Sequence, residues 1–424
     1  MGSDGIRGKQ MVLYPPMSVF VRTKTQSPKG DSADNFSQIG EFGMKQSATS
    51  AILEHERRLN AVKQACRDRN IDVAVFTSPE NICYITGLDY EGYFALHALL
   101  VSPDAGSILF ARYIEAPTVS RQTTGVEFAG YTDTDDVAAL ITARIVALAG
   151  DGARVGLQRN SAATVKIDAP LQSYLPKADI IDASGIVESL REVKSPFEIE
   201  QIKRAAEISD LMISTGLREA GEGVVENTVA AKIYGAMIAA GGQCPGFPPF
   251  LRSGDRISEP HTSWTDRPLK NGAPLLLELS GCVNRYHAPM ARYGYIGSAS
   301  AAAKRLSEVS HQAHLSALAA LKPGCLARDV YSAWKACLDP ANVSPRAPHC
   351  GYMVGLSFPP TWTGGPGVQS LHETSSMEIR ESMVFHLLTW VTDGQNDHFL
   401  SDCVVVEKAG AVFLTKTPRE IFEI

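Results

Sequence analysis

No stretch of the 424 residues is apolar for the roughly 20 positions a helix needs to cross a bilayer, so a membrane-spanning role is set aside. Dense Lys/Arg clusters interleaved with aromatics are also missing, and the net charge of −6 is modest, which argues against nucleic acid as a partner. None of the eight cysteines stands in a Cys-x-x-Cys pair. Their scatter gives no disulfide framework and suits buried, reduced thiols. The apolar stretch near Met11 is broken by Pro15 and Pro16 and lacks a signal-peptide layout, so the expected setting is cytoplasmic. What is present is ordinary globular composition, 44% hydrophobic and 20% charged, in a chain too long for one compact core. A small molecule or a peptide is the partner this composition favours.

Residues 1–45 mix Ser, Gly, Lys and Asp with little periodicity and read as a flexible extension. Over 46–190, helical patterns (Ser50 to Asn70, Asp135 to Leu148, Ala162 to Tyr174) alternate with strand-like runs (Ile71 to Phe76, Ala95 to Val101, Ser107 to Arg112, Val155 to Gln158). That alternation predicts an α/β domain. A third segment, 191–424, opens with Ser195-Pro196-x-Glu198, a capping box that predicts a long helix to about Leu217. Beyond it the chain repeats faintly: the turn ending at Gly223 with Val229 after it, and the turn ending at Gly324 with Val330 after it, lie 101 residues apart. Two helix–helix–strand halves in one pseudo-symmetric domain are expected. Its strands fall at Leu275 to Ser280, Ala291 to Ile296, Met383 to Trp390, Cys403 to Val406 and Val412 to Thr415.

The chemistry is sought first at Glu278, a single carboxylate in the run Pro274-Leu-Leu-Leu-Glu-Leu-Ser280. An acid among leucines loses hydration, which costs several kcal/mol without a partner. Strand alternation puts it on one face with Leu276 and Ser280. Tyr286 and His287 are expected in a turn after this strand, able to hydrogen-bond a substrate. Phe247, Phe250, Phe358, Trp362 and Trp390 are candidate walls for a compact cation, Arg252 a candidate carboxylate clamp, and His386 a further candidate in its own strand.

The linker Arg191-x-x-Lys194-Ser195-x-x-Glu198-Ile199, the helices after it and the turn Gly351-x-x-x-Gly355-Leu356 resemble the creatinase/aminopeptidase P/methionine aminopeptidase superfamily. The resemblance implies a small α/β N-terminal domain, an α+β pita-bread C-terminal domain with a pseudo-two-fold repeat, and a homodimer. Peptidases of the superfamily hold two metal ions through two Asp, one His and two Glu. The corresponding positions here are Glu278, Pro289, Pro359, Leu388, and Ser401 or Asp402. Pro and Leu side chains carry no donor atom, so no metal and no other cofactor is expected.

The runs Glu278-x-x-Gly281-Cys282, Arg285-Tyr286-His287-x-Pro289 and Gly351-Tyr352-x-x-Gly355-Leu356-Ser357-x-Pro359-Pro360-x-Trp362 are most similar to the metal-free branch, ectoine hydrolases above all. This implies a hydrolase acting on a C–N bond of a small cyclic amidine or guanidino-type metabolite, with Glu278 as nucleophile or base. His261, seventeen residues before Glu278, is then the proton shuttle, and Tyr352 and Trp362 join the substrate-binding set. The rival expectations are an Xaa-Pro dipeptidase-like enzyme and a non-catalytic binding protein.

Overall fold

The computed structural model describes residues 33–424 apart from residue 366, with side chains from residue 51 onward. The expected extension over 1–45 therefore lies outside the described residues as far as 32. Residues 33–45 begin the helix α1 (Ala33–Asp68). The chain then runs β1 (Val73–Phe76), α2 (Pro79–Thr86), β2 (Ala98–Ser102), β3 (Gly106–Arg112), α3 (Ala116–Gln122), β4 (Glu127–Tyr131), α4 (Val137–Ala149), β5 (Arg154–Leu157), α5 (Asp168–Tyr174), β6 (Asp179–Asp182) and α6 (Ile186–Glu192). These strands form one mixed sheet in the order β4-β3-β2-β1-β5-β6. Its interior strands are uninterrupted apolar runs because helices cover them on both faces.

The second sheet begins after α7 (Pro196–Glu219), whose capping box forms as the sequence predicts: Ser195 Oγ accepts from Glu198 N–H at 3.3 Å, and a Glu198 oxygen accepts from Ser195 N–H at 3.0 Å. There follow α8 (Glu226–Ala239), β7 (Phe250–Ser253), β8 (Pro274–Val283), β9 (Tyr286–Tyr295), α9 (Ala301–Ala320), α10 (Ala327–Leu338), β10 (Ser344–Pro345), β11 (His349–Met353), β12 (Ser370–His372), β13 (Val384–Thr392), β14 (Asp397–Glu407), β15 (Gly410–Phe413) and β16 (Phe422–Glu423). The main path of the ten-stranded sheet is β12-β11-β13-β14-β9-β8-β7. Helices α7 to α10 pack on one face, so the other is left concave.

The faint repeat is a real pseudo-two-fold. Gly223 and Gly324 both have positive φ, 79° and 86°, and donate their N–H to Leu269 and Ile379 respectively. The bridges Val225↔Pro268 and Leu326↔Glu378 match in the same way, and Val229 and Val330 are both fully buried.

One sequence expectation fails at the tip of the first hairpin. Tyr286 and His287 do not occupy a turn. The turn is the residue pair Asn284-Arg285, with φ of 49° and 65°, and pairing resumes at once with Val283↔Tyr286 and Cys282↔His287. Both positive φ values give the two-residue hairpin whose twist matches its strands. Arg285 holds this conformation because its guanidinium reaches Asp89 at 2.5 Å and Glu91 at 2.7 Å, and lies over the Phe358 ring at 4.5 Å. The strand expected to start at Ala291 therefore starts at Tyr286.

Glu198 also ties helix α1 to the second sheet. Its second oxygen accepts from the Tyr286 hydroxyl at 3.1 Å and faces the buried Arg58 guanidinium at 3.6 Å. Glu198→Ala should therefore cost more than the cap alone: about 3 kcal/mol of unfolding free energy from urea melts, against about 1 kcal/mol for Ser195→Ala. Equal losses in the two variants would mean that the Arg58 contact contributes nothing.

Candidate functional site

Strand register decides which side chains meet. Phe250 pairs with Glu278, Glu278 with Ala291, Ala291 with Ser401, and Ser401 with Leu388. Directly paired residues point to the same side of a sheet, so these five form one row across five strands on the concave face. Pro289, two residues from Ala291, and His386, two residues from Leu388, join that face. So does Tyr352, which pairs with His386. Asp402 does not. It points the other way, toward the helices, where its oxygens meet Arg292 at 2.8 Å, Arg419 at 2.9 Å, His314 at 3.1 Å and the Thr415 hydroxyl at 2.7 Å. Between the two alternatives for the last ligand position, Ser401 is the one on the face of Glu278.

The concave row offers Glu278 and Ser401, with Pro289, Ala291 and Leu388 between and beside them. One carboxylate and one hydroxyl are not the donor set of a dinuclear metal centre. Among the described residues no three His, Cys, Asp or Glu side chains gather in a geometry that would hold a metal ion.

Glu278 retains 12% side-chain exposure, enough for a ligand atom to reach it. Its nearest charge is Arg252, with Nη2 3.9 Å from Oε2. Burial pushes the Glu278 carboxyl up to about 7, and Arg252 offsets this only in part. The same burial depresses the Arg252 guanidinium, which donates to the Glu259 carbonyl, lies 5.9 Å from the Trp390 ring and is 1% exposed. Arg252, expected as a carboxylate clamp, is closed in beside Glu278, and among the described residues its Nε meets no hydrogen-bond partner.

An aromatic wall stands beside the acid. Phe247 lies 5.3 Å from Phe250 and 4.9 Å from Trp362, Phe250 lies 5.6 Å from Trp362, and Trp362 lies 6.2 Å from His386. His261 is exposed, adopts φ 55° and packs its ring 6.3 Å from Phe247 and 5.9 Å from Phe250. A chain of hydrogen bonds closes the far side, running from Trp362 Nε1 to Tyr352 Oη at 2.8 Å, to His386 Nδ1 at 2.8 Å, and from His386 Nε2 to Ser401 Oγ at 2.6 Å. Phe358 is apart from this wall, packed on Tyr93 at 5.3 Å.

Tyr286 and His287, expected as substrate contacts, are both buried. Tyr286 faces the helices and is bound to Glu198 and Arg58, so strand parity removes it from the site. His287 shares the concave parity but is fully buried; burial drives it down to about 4, and its neutral ring accepts the Gly246 N–H on Nε2 at 2.8 Å. It therefore anchors the segment that carries Phe247. Gly246 itself went unnoticed in the sequence, although a Cβ there would run into the Thr361 carbonyl.

The high affinity of Glu278 for its proton has a sign that can be checked. The folded protein binds that proton more tightly than the unfolded chain, whose glutamate titrates near ~4.3. The stabilisation is complete below the unfolded value and is lost as the pH rises through about 7. Urea melts should show the parent losing about 3 kcal/mol more than Glu278→Gln between pH 4 and pH 8. Parallel pH profiles for the two proteins would show Glu278 to be an ordinary solvated acid.

Comparison with known proteins places these features in context. A sequence model of metallopeptidase family M24 matches residues 200–408, and one of the creatinase/prolidase N-terminal domain matches 58–193. An uncharacterized hydrolase/peptidase of Sinorhizobium fredii is 30% identical over 382 residues, 87% of this chain and 97% of the relative. The ectoine hydrolase of Halomonas elongata is 26% identical over 390 residues, again 87% of this chain and 97% of the relative. Among solved structures, the Xaa-Pro dipeptidase from Bacillus anthracis superposes with a TM-score of 0.76 at 18% identity, over 87% of this chain and 100% of that one, a likeness of fold.

Proposed function

Since the chain belongs to metallopeptidase family M24, with that family's creatinase/prolidase N-terminal domain, we propose that it is a metal-independent member, a hydrolase of a C–N bond in a small cyclic amidine or guanidino-type molecule. The observation that carries the reading is the concave row: the only carboxylate left in it, Glu278, is desolvated and set against an aromatic wall, while the neighbouring ligand positions hold Pro289, Leu388 and Ser401. An amidinium is flat, delocalised and cationic. Aromatic faces such as Phe247, Phe250 and Trp362 attract that charge, and a carboxylate beside it gains the partner that Arg252 supplies only at 3.9 Å. The 26% identity to an ectoine hydrolase along nearly its whole length supports the same substrate class.

In this reading Glu278 attacks the amidine carbon, the C–N bond breaks as the nitrogen leaves with a proton, and water then cleaves the new C–O bond to free the carboxylate. In the direct route Glu278 instead takes a proton from a water that attacks the same carbon. Both roles require the ionised form, and a bound cation would draw the carboxyl toward it. His261, exposed at the rim of the wall, exchanges a proton between solvent and the departing nitrogen.

The test is an assay of chelator-treated protein against cyclic amidines, guanidino compounds and Xaa-Pro dipeptides. Amidine or guanidino turnover should persist without metal, and kcat/KM should rise with pH through one ionisation near 7. Glu278→Gln should lower kcat by about 10³-fold while ligand still binds. Dipeptide cleavage that appears only on adding manganese or cobalt would replace this reading with the peptidase one. Ligand binding without turnover in the parent would replace it with a binding protein.

A further inference from the structure

We propose that Ser401 and His386 are positioning residues that aim the Tyr352 hydroxyl, as a fixed hydrogen-bond donor, at the atom reacting beside the Glu278 carboxylate. The inference rests on the functional reading above and adds a role to each of three residues in the same site.

The argument is an inventory of protons. Indole Nε1 of Trp362 can only donate, so one lone pair of the Tyr352 oxygen is taken by it, at 2.8 Å. Burial drives His386 down to about 3, so its ring is neutral and carries one proton, on Nδ1 or on Nε2. Two orders along the chain satisfy its hydrogen bonds. In the first, Tyr352 donates to Nδ1 and Nε2 donates to Ser401, which leaves the Ser401 proton over. In the second, Ser401 donates to Nε2 and Nδ1 donates to Tyr352, which leaves the Tyr352 proton over.

Burial separates the two. Ser401 is fully buried, and among the described residues its hydroxyl meets no partner but His386. A proton left over there would go unsatisfied in the interior, which costs about 1–3 kcal/mol. Tyr352 is only partly buried and shares the concave face with Glu278, whose charge adds to the effect of burial in holding the phenol in its protonated form. The second order is therefore the stable one. Both lone pairs of the Tyr352 oxygen are then occupied, and its O–H is free to point only into the site. Among the described residues the Tyr352 hydroxyl meets only Trp362 and His386, so its proton is not taken up by Glu278. A donor fixed in this way stabilises charge developing on the tetrahedral centre without having to reorient.

Two readouts test the chain. Imidazole ¹⁵N spectra, with His386 assigned from the loss of its signals in His386→Gln, should show the Nδ1–H tautomer in the parent and a shift toward Nε2–H in Ser401→Ala. A parent His386 in the Nε2–H form overturns the proposal. In turnover assays, Tyr352→Phe should lower kcat about 100-fold with little change in KM, and Ser401→Ala about 10-fold. Ser401→Thr, which keeps the hydroxyl on a strand-compatible side chain, should restore most of that loss. The double variant should be no slower than Tyr352→Phe alone, because Ser401 acts only through Tyr352. Losses that multiply in the double variant would give Ser401 an independent role and defeat the proposal. If the parent turns over no amidine or guanidino compound, the functional reading fails, and the tautomer measurement alone decides the direction of the chain.

Discussion

Asp402 lies under the concave sheet with Arg292, Arg419, His314 and Thr415 around its two oxygens, and it touches no residue of the candidate site. It nonetheless fixes the site. Because side chains alternate along a strand, holding Asp402 and Arg292 on the helix side forces Ser401 and Ala291 to the concave side, in line with Glu278. A slip of one residue between β9 and β14 would unpair a buried carboxylate and turn the row inside out. The burial that makes such a slip costly is what makes the row well defined.

The sheet thus carries two acids in opposite electrostatic states. Asp402, with a partner for each lone pair, is held well below the ordinary carboxylate range. Glu278, with one guanidinium at 3.9 Å, is pushed up to about 7. Both are desolvated, so the difference lies in how many donors the fold supplies. A fully satisfied carboxylate holds structure together but has nothing left to offer a ligand. An under-satisfied one weakens the fold slightly and is available for chemistry, the usual relation between stability and activity.

Local signals in the sequence were legible and nonlocal ones were not. The capping box at Ser195 and Glu198 lies within four residues and gave the start of α7, and the two Gly turns gave the pseudo-repeat because each completes its own helix pair. The oddity of Glu278 was legible because an acid among leucines is anomalous in itself, and the structure finds it desolvated with one guanidinium nearby. The place of Tyr286 and His287 was not, since the hairpin turn depends on Arg285 adopting a left-handed conformation that Asp89 and Glu91 stabilise from nearly two hundred residues away. The short strands β7 and β11 likewise owe their state to pairing across the sheet. For the same reason the role of Arg252 and the alignment of Ser401 with Leu388 emerged only from register.

The pseudo-two-fold maps Pro268 onto Glu378 and Leu269 onto Ile379, 110 positions on, and the same offset carries Glu278 onto Leu388 and Ala291 onto Ser401. A frame built from two equivalent halves would, with equivalent side chains, accept a small molecule equally well in either of two opposed orientations. Here the halves have diverged at equivalent positions: a leucine stands where the first half has an acid, and a serine where it has an alanine. Geometry keeps the symmetry while chemistry breaks it, so the row across the sheet is electrically one-sided, with a carboxylate in one half and none in the other.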